Sequence, residues 1–532
     1  MSSVAHTAPS TGRWTRGWSG RRRWPLVSVA CAGIAAALVL VPLVFLVVQA
    51  QQSGWSEARH LLLRHSVAVL LWNTVRLTLA CTALCAVLGV AAAWAVERTT
   101  LPARRLWAVA LVLPLGVPDF VVGFGWVSID PALHGYLAAV MVMTLSLYPL
   151  VYLPVAGALA NLDAGLEEAA RSLGLGPWQA FRRVTLRQIW PAVLGGCLLV
   201  TLALLAEYGA FPIVQYQTFT VAIFTEYKLG FDAVAAAVLA LVLVALSVTA
   251  LGAEHWLTGR GGGGTARGGP GARRGARRVA LGRLTAPVLA ALATLGGLAL
   301  GVPLGSLVYW MARGSSTTLP SASILATVGH TVEYSAAAAA LATALAVPVS
   351  ALAIRHRNRV TVLLERVAFL PMALPGLVIA LGLVAFSVRY AFALYQSALE
   401  LIVAYSILFL PLALVGVRSA MGQASPRLEE IGRSLGSRPT AVWWRVTLPL
   451  LAPGLGAAFA LVFISSATEL TATLLLHPTG VNTLATQFWA YTSELSYGAA
   501  APYAALMVAI SAVPAYLLSR RMSTLSRWER AR

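Results

Sequence analysis

The sequence contains a single lysine and little charge of either sign. Charged residues make up 11% of the 532 residues, whereas a soluble domain carries roughly 25%. A nucleotide-binding P-loop needs lysine after glycine, but Lys228 follows Tyr227. The four cysteines all fall in apolar runs and form neither a CxxC metal site nor a disulfide framework. The composition therefore excludes an ordinary soluble domain and a chain with its own P-loop.

Long apolar runs dominate what is present. Hydrophobic residues make up 58% of the chain and the mean hydropathy is +0.77. A transmembrane helix needs about 20 mostly apolar residues, and these runs are too long for strands. We predict an all-α polytopic membrane protein with about 12 transmembrane helices, the first one a retained span. The predicted spans are 26–49, 66–96, 106–128, 136–159, 191–214, 232–256, 284–311, 324–354, 361–388, 398–420, 453–476 and 499–519.

The net charge of +20 is arranged by side of the membrane. If the N-terminus is cytoplasmic, 33 of the 39 basic residues lie on that side and five on the other, and Arg76 lies inside the second span. This is the positive-inside pattern, which predicts that both termini are cytoplasmic. A nucleic-acid partner would need the arginines on one folded face, so we expect no nucleic-acid binding.

One charged segment occurs twice. The stretch LEEAARSLGLGPWQAFRRVTLRQIWP runs from Leu166 to Pro191, and LEEIGRSLGSRPTAVWWRVTLPLLAP runs from Leu428 to Pro453. We call these the first and second duplicated segments. Thirteen of their 26 aligned positions are identical, which points to an internal repeat.

The repeat extends to whole halves of the chain. LPLGVP at 113–118 corresponds to LPMALP at 370–375, and Glu207 and Glu469 share the 262-residue offset of the duplicated segments. Six spans return the chain to the cytoplasm, so the halves are predicted to be parallel repeats around an axis along the membrane normal. The predicted parts are a cytoplasmic tail 1–25, a first repeat 26–257 with a loop near 161–190, a Gly/Arg-rich flexible linker 258–283, a second repeat 284–519 with a loop near 421–452, and a cytoplasmic tail 520–532.

Each duplicated segment has the pattern of two short helices. Leu166, Ala169, Ala170 and Leu173 share one helix face, and Gly174 is a stop signal before a restart at proline. The alternative is an amphipathic hairpin that lies in the lipid headgroups. Two copies at equivalent positions favour docking of two identical partners.

The segments resemble the loop E-A-A-x3-G-x9-I-x-L-P of permease subunits of ATP-binding-cassette importers. The first copy departs from it at Arg187, and the second at Ile431 and Gly432. The resemblance implies docking to a separate ATPase homodimer that carries ATP and Mg, an extracytoplasmic solute-binding protein, and a bacterial plasma (inner) membrane location. It implies a transport protein rather than an enzyme, with no cofactor bound by this chain. The coupling positions it implies are Glu167, Glu168, Ala169, Ala170, Gly174, Leu186, Glu429, Glu430, Gly436, Leu448 and Pro449.

The fused arrangement narrows the resemblance. Permeases with both halves in one chain handle ferric iron, thiamine, aminoethylphosphonate and related solutes. The stretches 206–224 and 469–491 are most similar to the ferric-iron members, so ferric iron is the expected substrate, with thiamine, aminoethylphosphonate or polyamine as alternatives.

Polar residues inside spans are candidates for the translocation pathway. Asp119, Glu207 and Glu469 are such residues, and a charge at a span centre costs about 2.5–3.5 kcal/mol. Glu207 and Glu469 are expected either to face each other and offer oxygen ligands to a cation, or to cap neighbouring helices. Arg76 is expected to snorkel or to pair with a carboxylate. Helix bends are predicted at Pro114, Pro118, Pro371 and Pro375.

Two other classes compete with an importer permease. A secondary transporter would explain the intramembrane glutamates but not the duplicated segments. An integral-membrane enzyme or scaffold is disfavoured because no nucleophile–base pair and no histidine metal site is apparent.

Overall fold

The computed structural model describes residues 26–52, 54–162, 164–260, 278–313, 322–356 and 358–512. Throughout these residues the fold is helical, and a single isolated bridge pairs Thr99 with Val279. The predicted tails 1–25 and 520–532, and residues 261–277 of the predicted linker, lie outside the described residues.

Nine described helices are long and apolar enough to cross a membrane, and two bent pairs raise this number to eleven. The twelfth predicted span corresponds to the shorter apolar helix Tyr497–Ala512, at the end of the described residues. The nine long helices are Val27–Gln51, His65–Arg98, Gly135–Ala160, Phe181–Ala206, Ala233–Thr258, Gly282–Arg313, Ser323–Arg355, Ala398–Gln423 and Thr440–Ala467.

Shorter helices connect the long ones. Some lie in the duplicated segments and others follow the long helices that come after those segments. They are Gly54–Leu62, Ala164–Ser172, Pro177–Ala180, Ala210–Ile213, Phe219–Lys228, Pro426–Ser434, Pro439–Val442, Thr473–Leu476 and Leu484–Ser493.

Two predicted spans were placed wrongly along the chain. Spans 191–214 and 453–476 were expected, but the helices are Phe181–Ala206 and Thr440–Ala467. They begin earlier because the end of each duplicated segment continues into the membrane helix. They end earlier because a half-buried glutamate follows each one and accepts hydrogen bonds from free backbone N–H groups, which a helix interior cannot supply.

The bent pairs lie at equivalent places in the two repeats. Arg104–Gly116 and Asp119–Val127 meet at 90°, and Arg359–Ala373 and Gly376–Tyr390 meet at 110°. Pro118 and Pro375 stand immediately before the second helix of each pair, in extended conformation. Proline has no N–H to continue the preceding helix but is accepted at a helix start.

The first helix of each repeat packs on the bent helix of the other repeat. Leu26–Gln51 lies against Gly376–Tyr390, and Val302–Arg313 lies against Asp119–Val127. A Cβ on Gly125 would lie 2.7 Å from Pro303 Cα. A Cβ on the equivalent Gly382 would collide with the backbone of Pro42. Small residues allow this close approach. Each repeat therefore packs its first helix against the other repeat, which holds the two halves together.

The hydrophobic cores reflect the same packing between the repeats. One cluster combines first-repeat residues with Leu307 and Met507 of the second. The other combines second-repeat residues with Val39 and Leu243 of the first. Neither repeat therefore has a core made only from its own helices.

The end of the predicted linker is not free. Val279 N donates to the Arg98 carbonyl at 2.9 Å, and Thr100 N donates to the Val279 carbonyl at 3.1 Å. The prediction of a flexible linker over 258–283 is therefore wrong at this end, because residues after Arg278 pair with the backbone of the first repeat.

Candidate functional site: two duplicated segments and a buried carboxylate region

The first duplicated segment is a short helix, a turn and a second short helix. Ala164–Ser172 ends before Gly174, which has a φ of +89°. Leu175 N donates to the Ala170 carbonyl at 3.2 Å and Gly174 N to the Arg171 carbonyl at 3.0 Å. These two bonds form a Schellman motif, which requires a left-handed residue and therefore favours glycine.

The second duplicated segment has the same geometry. Pro426–Ser434 ends before Gly436, which has a φ of +82°. Ser437 N donates to the Gly432 carbonyl at 3.2 Å. The two segments therefore share their turn geometry, although the second has Gly432 where the first has Ala170.

A glutamate in each segment joins three elements. Thr185 Oγ1 donates to Glu167 Oε2 at 3.1 Å, and Arg98 forms an ion pair with the same carboxylate. Arg98 ends the long helix His65–Arg98, and Thr185 immediately precedes Leu186–Ala206, the membrane helix that follows the segment. We call the group Arg98–Glu167–Thr185 the first clip.

The second clip repeats this arrangement. Arg355 Nη1 donates to Glu429 Oε2 at 3.0 Å, and Thr447 Oγ1 donates to Glu429 Oε1 at 2.9 Å. The glutamate side chains are only 17% and 12% exposed in the first and second clip. Removing one partner of a buried ion pair typically costs about 3–5 kcal/mol, so each clip fixes a short helix to the membrane helices.

The outer face of each short helix is open and apolar. Leu173 is 85% exposed and Leu435 is 79% exposed, and Leu166, Leu428 and Ile431 are also exposed. An exposed apolar surface of this kind is typical of a site that contacts another protein or the membrane surface.

The other predicted coupling residues divide by exposure. The exposed ones are Glu168, Ala169, Glu430 and Pro449, the half-buried ones are Leu186 and Leu448, and Ala170 is buried.

Each segment continues without a break into a membrane helix. A single π-helical turn, Phe181–Thr185 or Trp443–Thr447, joins the second short helix to Leu186–Ala206 or Leu448–Ala467. In each segment the second short helix and the membrane helix therefore form one continuous helical element.

The half-buried Glu207 and Glu469 cap the short helices that follow them. Ala210 N donates to Glu207 Oε1 at 2.7 Å, and Ala472 N donates to Glu469 Oε1 at 2.9 Å. Asp119, at the start of the bent helix, accepts a hydrogen bond from Ser146. The structure thus shows the capping alternative for both glutamates.

The same glutamates also lie close to the boundary between the repeats. A Cβ on Gly209 would lie 2.7 Å from Leu470 Cδ2, so the loops after Glu207 and Glu469 touch. Asp119 and Glu469 are the charged neighbours of Glu207. Capping and mutual approach are therefore not exclusive.

Aromatic rings close the boundary beside these carboxylates. The Phe488 ring centroid lies 5.4 Å from that of Phe120 and 5.3 Å from that of Phe124, and Tyr208 lies 5.4 Å from Trp489. Phe124 and Phe488 are fully buried. In this conformation these rings fill the boundary between the two repeats beside the carboxylates.

The predicted bend prolines occupy the breaks of the bent pairs. Pro114 and Pro371 begin short 3-10 turns, and Pro118 and Pro375 precede the following helices. These breaks bring Asp119 and its equivalent Gly376 to helix starts, beside Ser146 and Glu469 respectively.

Arg76 lies against two tyrosines of neighbouring helices. Its Nε donates to Tyr216 Oη at 3.0 Å, and its guanidinium lies 4.6 Å from the Tyr136 ring centroid. Among the described residues these tyrosines, and not the expected carboxylate, hold the cation by a hydrogen bond and a cation–π contact, and snorkelling stays a prediction.

Sequence reasoning missed the arginines of both clips. Arg98 and Arg355 lie 69 and 74 residues before their glutamates, although both end 34-residue helices at equivalent positions. That shared position was the available signal. Within the described ranges, no group of three or more His, Cys, Asp or Glu side chains is placed to hold a metal ion.

Two comparisons with known proteins agree on one family. The model of the family described as "Binding-protein-dependent transport system inner membrane component" matches residues 86–260 and again 338–525. The chain is similar to the "Fe(3+)-transport system permease protein FbpB 2" of Haemophilus influenzae, with 36% identity over 508 residues, 93% of this chain and 98% of that protein.

Single-repeat relatives are more distant. The sulfate transport system permease protein CysW of Escherichia coli K12 is 27% identical over 36% of this chain and 71% of its own length. The molybdenum transport system permease protein ModB of the same organism is 28% identical over 35% of this chain and 93% of its own length.

Proposed function

The chain belongs to the family of inner membrane components of binding-protein-dependent transport systems, and from this premise we propose that it is the permease of an ATP-driven importer of ferric iron. It is a multi-pass permease of the ATP-binding-cassette importer class and not an enzyme. The observation that carries the substrate is the 36% identity to a ferric-iron permease over 93% of this chain and 98% of that protein.

The charge at the repeat boundary supports a cation. Asp119, Glu207 and Glu469 place three carboxylates near the contact between the halves. An oxyanion such as sulfate would meet like charge there, whereas a ferric ion would meet opposite charge. The relatives named for sulfate and molybdenum match only about a third of the chain, which also favours ferric iron as the substrate.

The duplicated segments support a separate ATPase as partner. Their exposed leucines offer two equivalent docking surfaces, which fits a homodimer, and the clips join each surface to two membrane helices. ATP and Mg would bind on that ATPase. Closure of the ATPase dimer would move both short helices, and the continuous membrane helices would carry the movement to the repeat boundary.

The orientation follows from charge. The positive-inside pattern supports an orientation in a bacterial plasma membrane with the duplicated segments and both termini in the cytoplasm. The opposite face would receive ferric iron from an extracytoplasmic binding protein, and lipid would surround the helices.

Uptake into proteoliposomes tests this function. The chain is reconstituted with its ATPase and binding protein, and uptake of radiolabelled ferric iron is compared with that of thiamine, aminoethylphosphonate and a polyamine. ATP-dependent iron uptake is expected. Uptake of another solute in place of iron would overturn the substrate, and uptake driven by a proton or sodium gradient without ATP would overturn the mechanism.

A further inference from the structure

A narrow polar cavity lies inside the second repeat, beside Glu469. It lies between the helices Ala322–Arg355, Ala398–Gln423 and Leu448–Ala467, and in this conformation the space between its side chains does not admit a water molecule. The side chains that line it with oxygen atoms are those of Thr331, Tyr334, Ser335, Tyr405, Ser466, Glu469 and Thr483. A polar cavity among membrane helices is costly unless its groups have partners.

One of these oxygen atoms has no partner. Ser466 is 2% exposed, and its Oγ makes no hydrogen bond, yet it lines the cavity. A buried hydroxyl without a partner typically costs about 1–3 kcal/mol. This hydroxyl therefore points to a ligand that completes the site.

A second group holds Tyr405 at the cavity. Thr473 Oγ1 donates to the Glu469 carbonyl at 2.5 Å and shares a 2.5 Å hydrogen bond with Tyr405 Oη. Because Thr473 has one hydroxyl proton, Tyr405 is the donor in that second bond. The phenolic oxygen is thereby fixed next to the Glu469 loop with its lone pairs available.

The first repeat folds without this polar lining. The 257-residue offset of the long helices and the 262-residue offset of the later ones give the equivalent positions. Thr331, Ser335 and Glu469 correspond to the polar residues Thr74, Thr78 and Glu207. Tyr334, Tyr405 and Ser466, by contrast, correspond to Leu77, Met143 and Leu204. The three extra polar groups are therefore not required by the helix packing.

We propose that this cavity is a transit site for a trivalent cation, with Tyr334, Tyr405, Ser466 and Glu469 as its ligands. The proposal rests on the proposed import of ferric iron and adds the place where the ion pauses. Tyrosine, carboxylate and hydroxyl oxygens are hard donors, and tyrosine is an established iron ligand in proteins.

The charges balance for a trivalent ion. The Glu469 carboxylate and two phenolates carry three negative charges, which neutralise one ferric ion in surroundings that penalise net charge. The two phenolic protons leave with the water or chelator oxygens that the ion sheds. Thr473 then turns its hydroxyl proton toward the Tyr405 phenolate.

Visible absorption tests the site. The full chain, in nanodiscs with its ATPase, is titrated with ferric iron supplied as citrate, because an iron–tyrosinate site gives a charge-transfer band. The wild type is expected to show the band. Tyr405→Phe and Tyr334→Phe are expected to lose it together with most ATP-driven iron uptake, and Ser466→Ala to weaken it.

Tyr148→Phe is the matched control, since Tyr148 is a fully buried tyrosine of the first repeat whose hydroxyl also lacks a partner. It should keep both the band and the uptake. Thermal unfolding of each variant separates loss of a ligand from loss of fold, and a folded Tyr405→Phe that keeps the band overturns the site. If the wild type imports iron but shows no band, the site is wrong and the import stands, whereas a wild type that imports no iron overturns the proposed function itself.

Discussion

Arg355 Nη1 lies 3.0 Å from Glu429 Oε2, and the same pairing joins Arg98 to Glu167 in the other repeat. Each pair connects the end of a 34-residue helix to a duplicated segment. The repetition of this partly buried ion pair at equivalent places in both repeats supports the proposed coupling role, since packing alone does not require it.

Loss of the second clip should uncouple transport from ATP hydrolysis. Glu429→Gln leaves Arg355 without its charge partner, and removing one member of a buried pair costs about 3–5 kcal/mol. We expect ATP-driven uptake to fall strongly while the ATPase still hydrolyses ATP, measured in the same proteoliposomes.

The control for this variant is Glu365→Gln, which breaks the more exposed pair with Arg418 outside the duplicated segments. It should leave uptake near the wild-type value. The double variant Arg355→Glu, Glu429→Arg keeps an ion pair with the charges swapped, so it should restore part of the uptake. Equal uptake in Glu429→Gln and wild type would rule out the coupling role of the clip.

The turn glycines should tolerate no β-branched residue. Gly174 has a φ of +89° and open space around its Cβ position, so Gly174→Val is strained by conformation and not by collision, at about 1–3 kcal/mol. We expect weaker co-purification of the ATPase. Gly176→Val, nearby in the same segment with equally open space and no positive φ, is the control and should bind normally. Similar losses in both variants would show that bulk and not the turn is responsible.

The first helix of each repeat packs on the other repeat, and this packing predicts stability changes of opposite sign for two Gly→Ala substitutions. Gly→Ala inside an exposed helix normally stabilises by about 0.5–1 kcal/mol. At Gly125, however, the new Cβ would lie 2.7 Å from Pro303 Cα, and overpacking costs about 1–3 kcal/mol. Gly125→Ala should lower the melting temperature in detergent and Gly329→Ala, which has open space, should not. A rise in both would contradict the close helix crossing.

The aromatic contact at the repeat boundary should act as a barrier to ions. Phe488 is fully buried against Phe120 and Phe124, so Phe488→Ala removes the contact across the repeat boundary. We expect an ATP-independent leak of ions from proteoliposomes. Phe459→Ala, at a ring that is 36% exposed and stacked on Phe463, is the control. A leak equal to the control would mean that the barrier lies elsewhere.

Much of the architecture was predictable because it is local. Runs of apolar residues predicted the spans, Pro118 and Pro375 predicted the breaks, and Gly174 and Gly436 predicted the turns, since each of these depends on the backbone of a few neighbouring residues. Relationships across the chain were not predictable in this way.

The clips, the packing of first helices on the other repeat and the cavity depend on tertiary packing. Arg98 meets Glu167 only after the helices between them fold back, and Pro42 meets Gly382 across 340 residues of sequence. The predicted spans also ran past Ala206 and Ala467 because hydropathy does not register that a half-buried, capping glutamate ends a helix. Tyr334 and Tyr405 gave no signal as isolated tyrosines within apolar runs.

Binding of the ATPase to variants of the two exposed leucines tests the central claim most directly. Leu173→Glu and Leu435→Glu place charge on the most exposed apolar positions of the two duplicated segments, at 85% and 79% exposure. Leu229→Glu is the control, at a leucine of 75% exposure in a loop assigned to the opposite side of the membrane. In nanodiscs, light scattering should show two ATPase subunits on the wild type and the control, weakened binding for each single variant, and none for the double variant. Two ATPase subunits bound with unchanged affinity to the double variant would contradict the account.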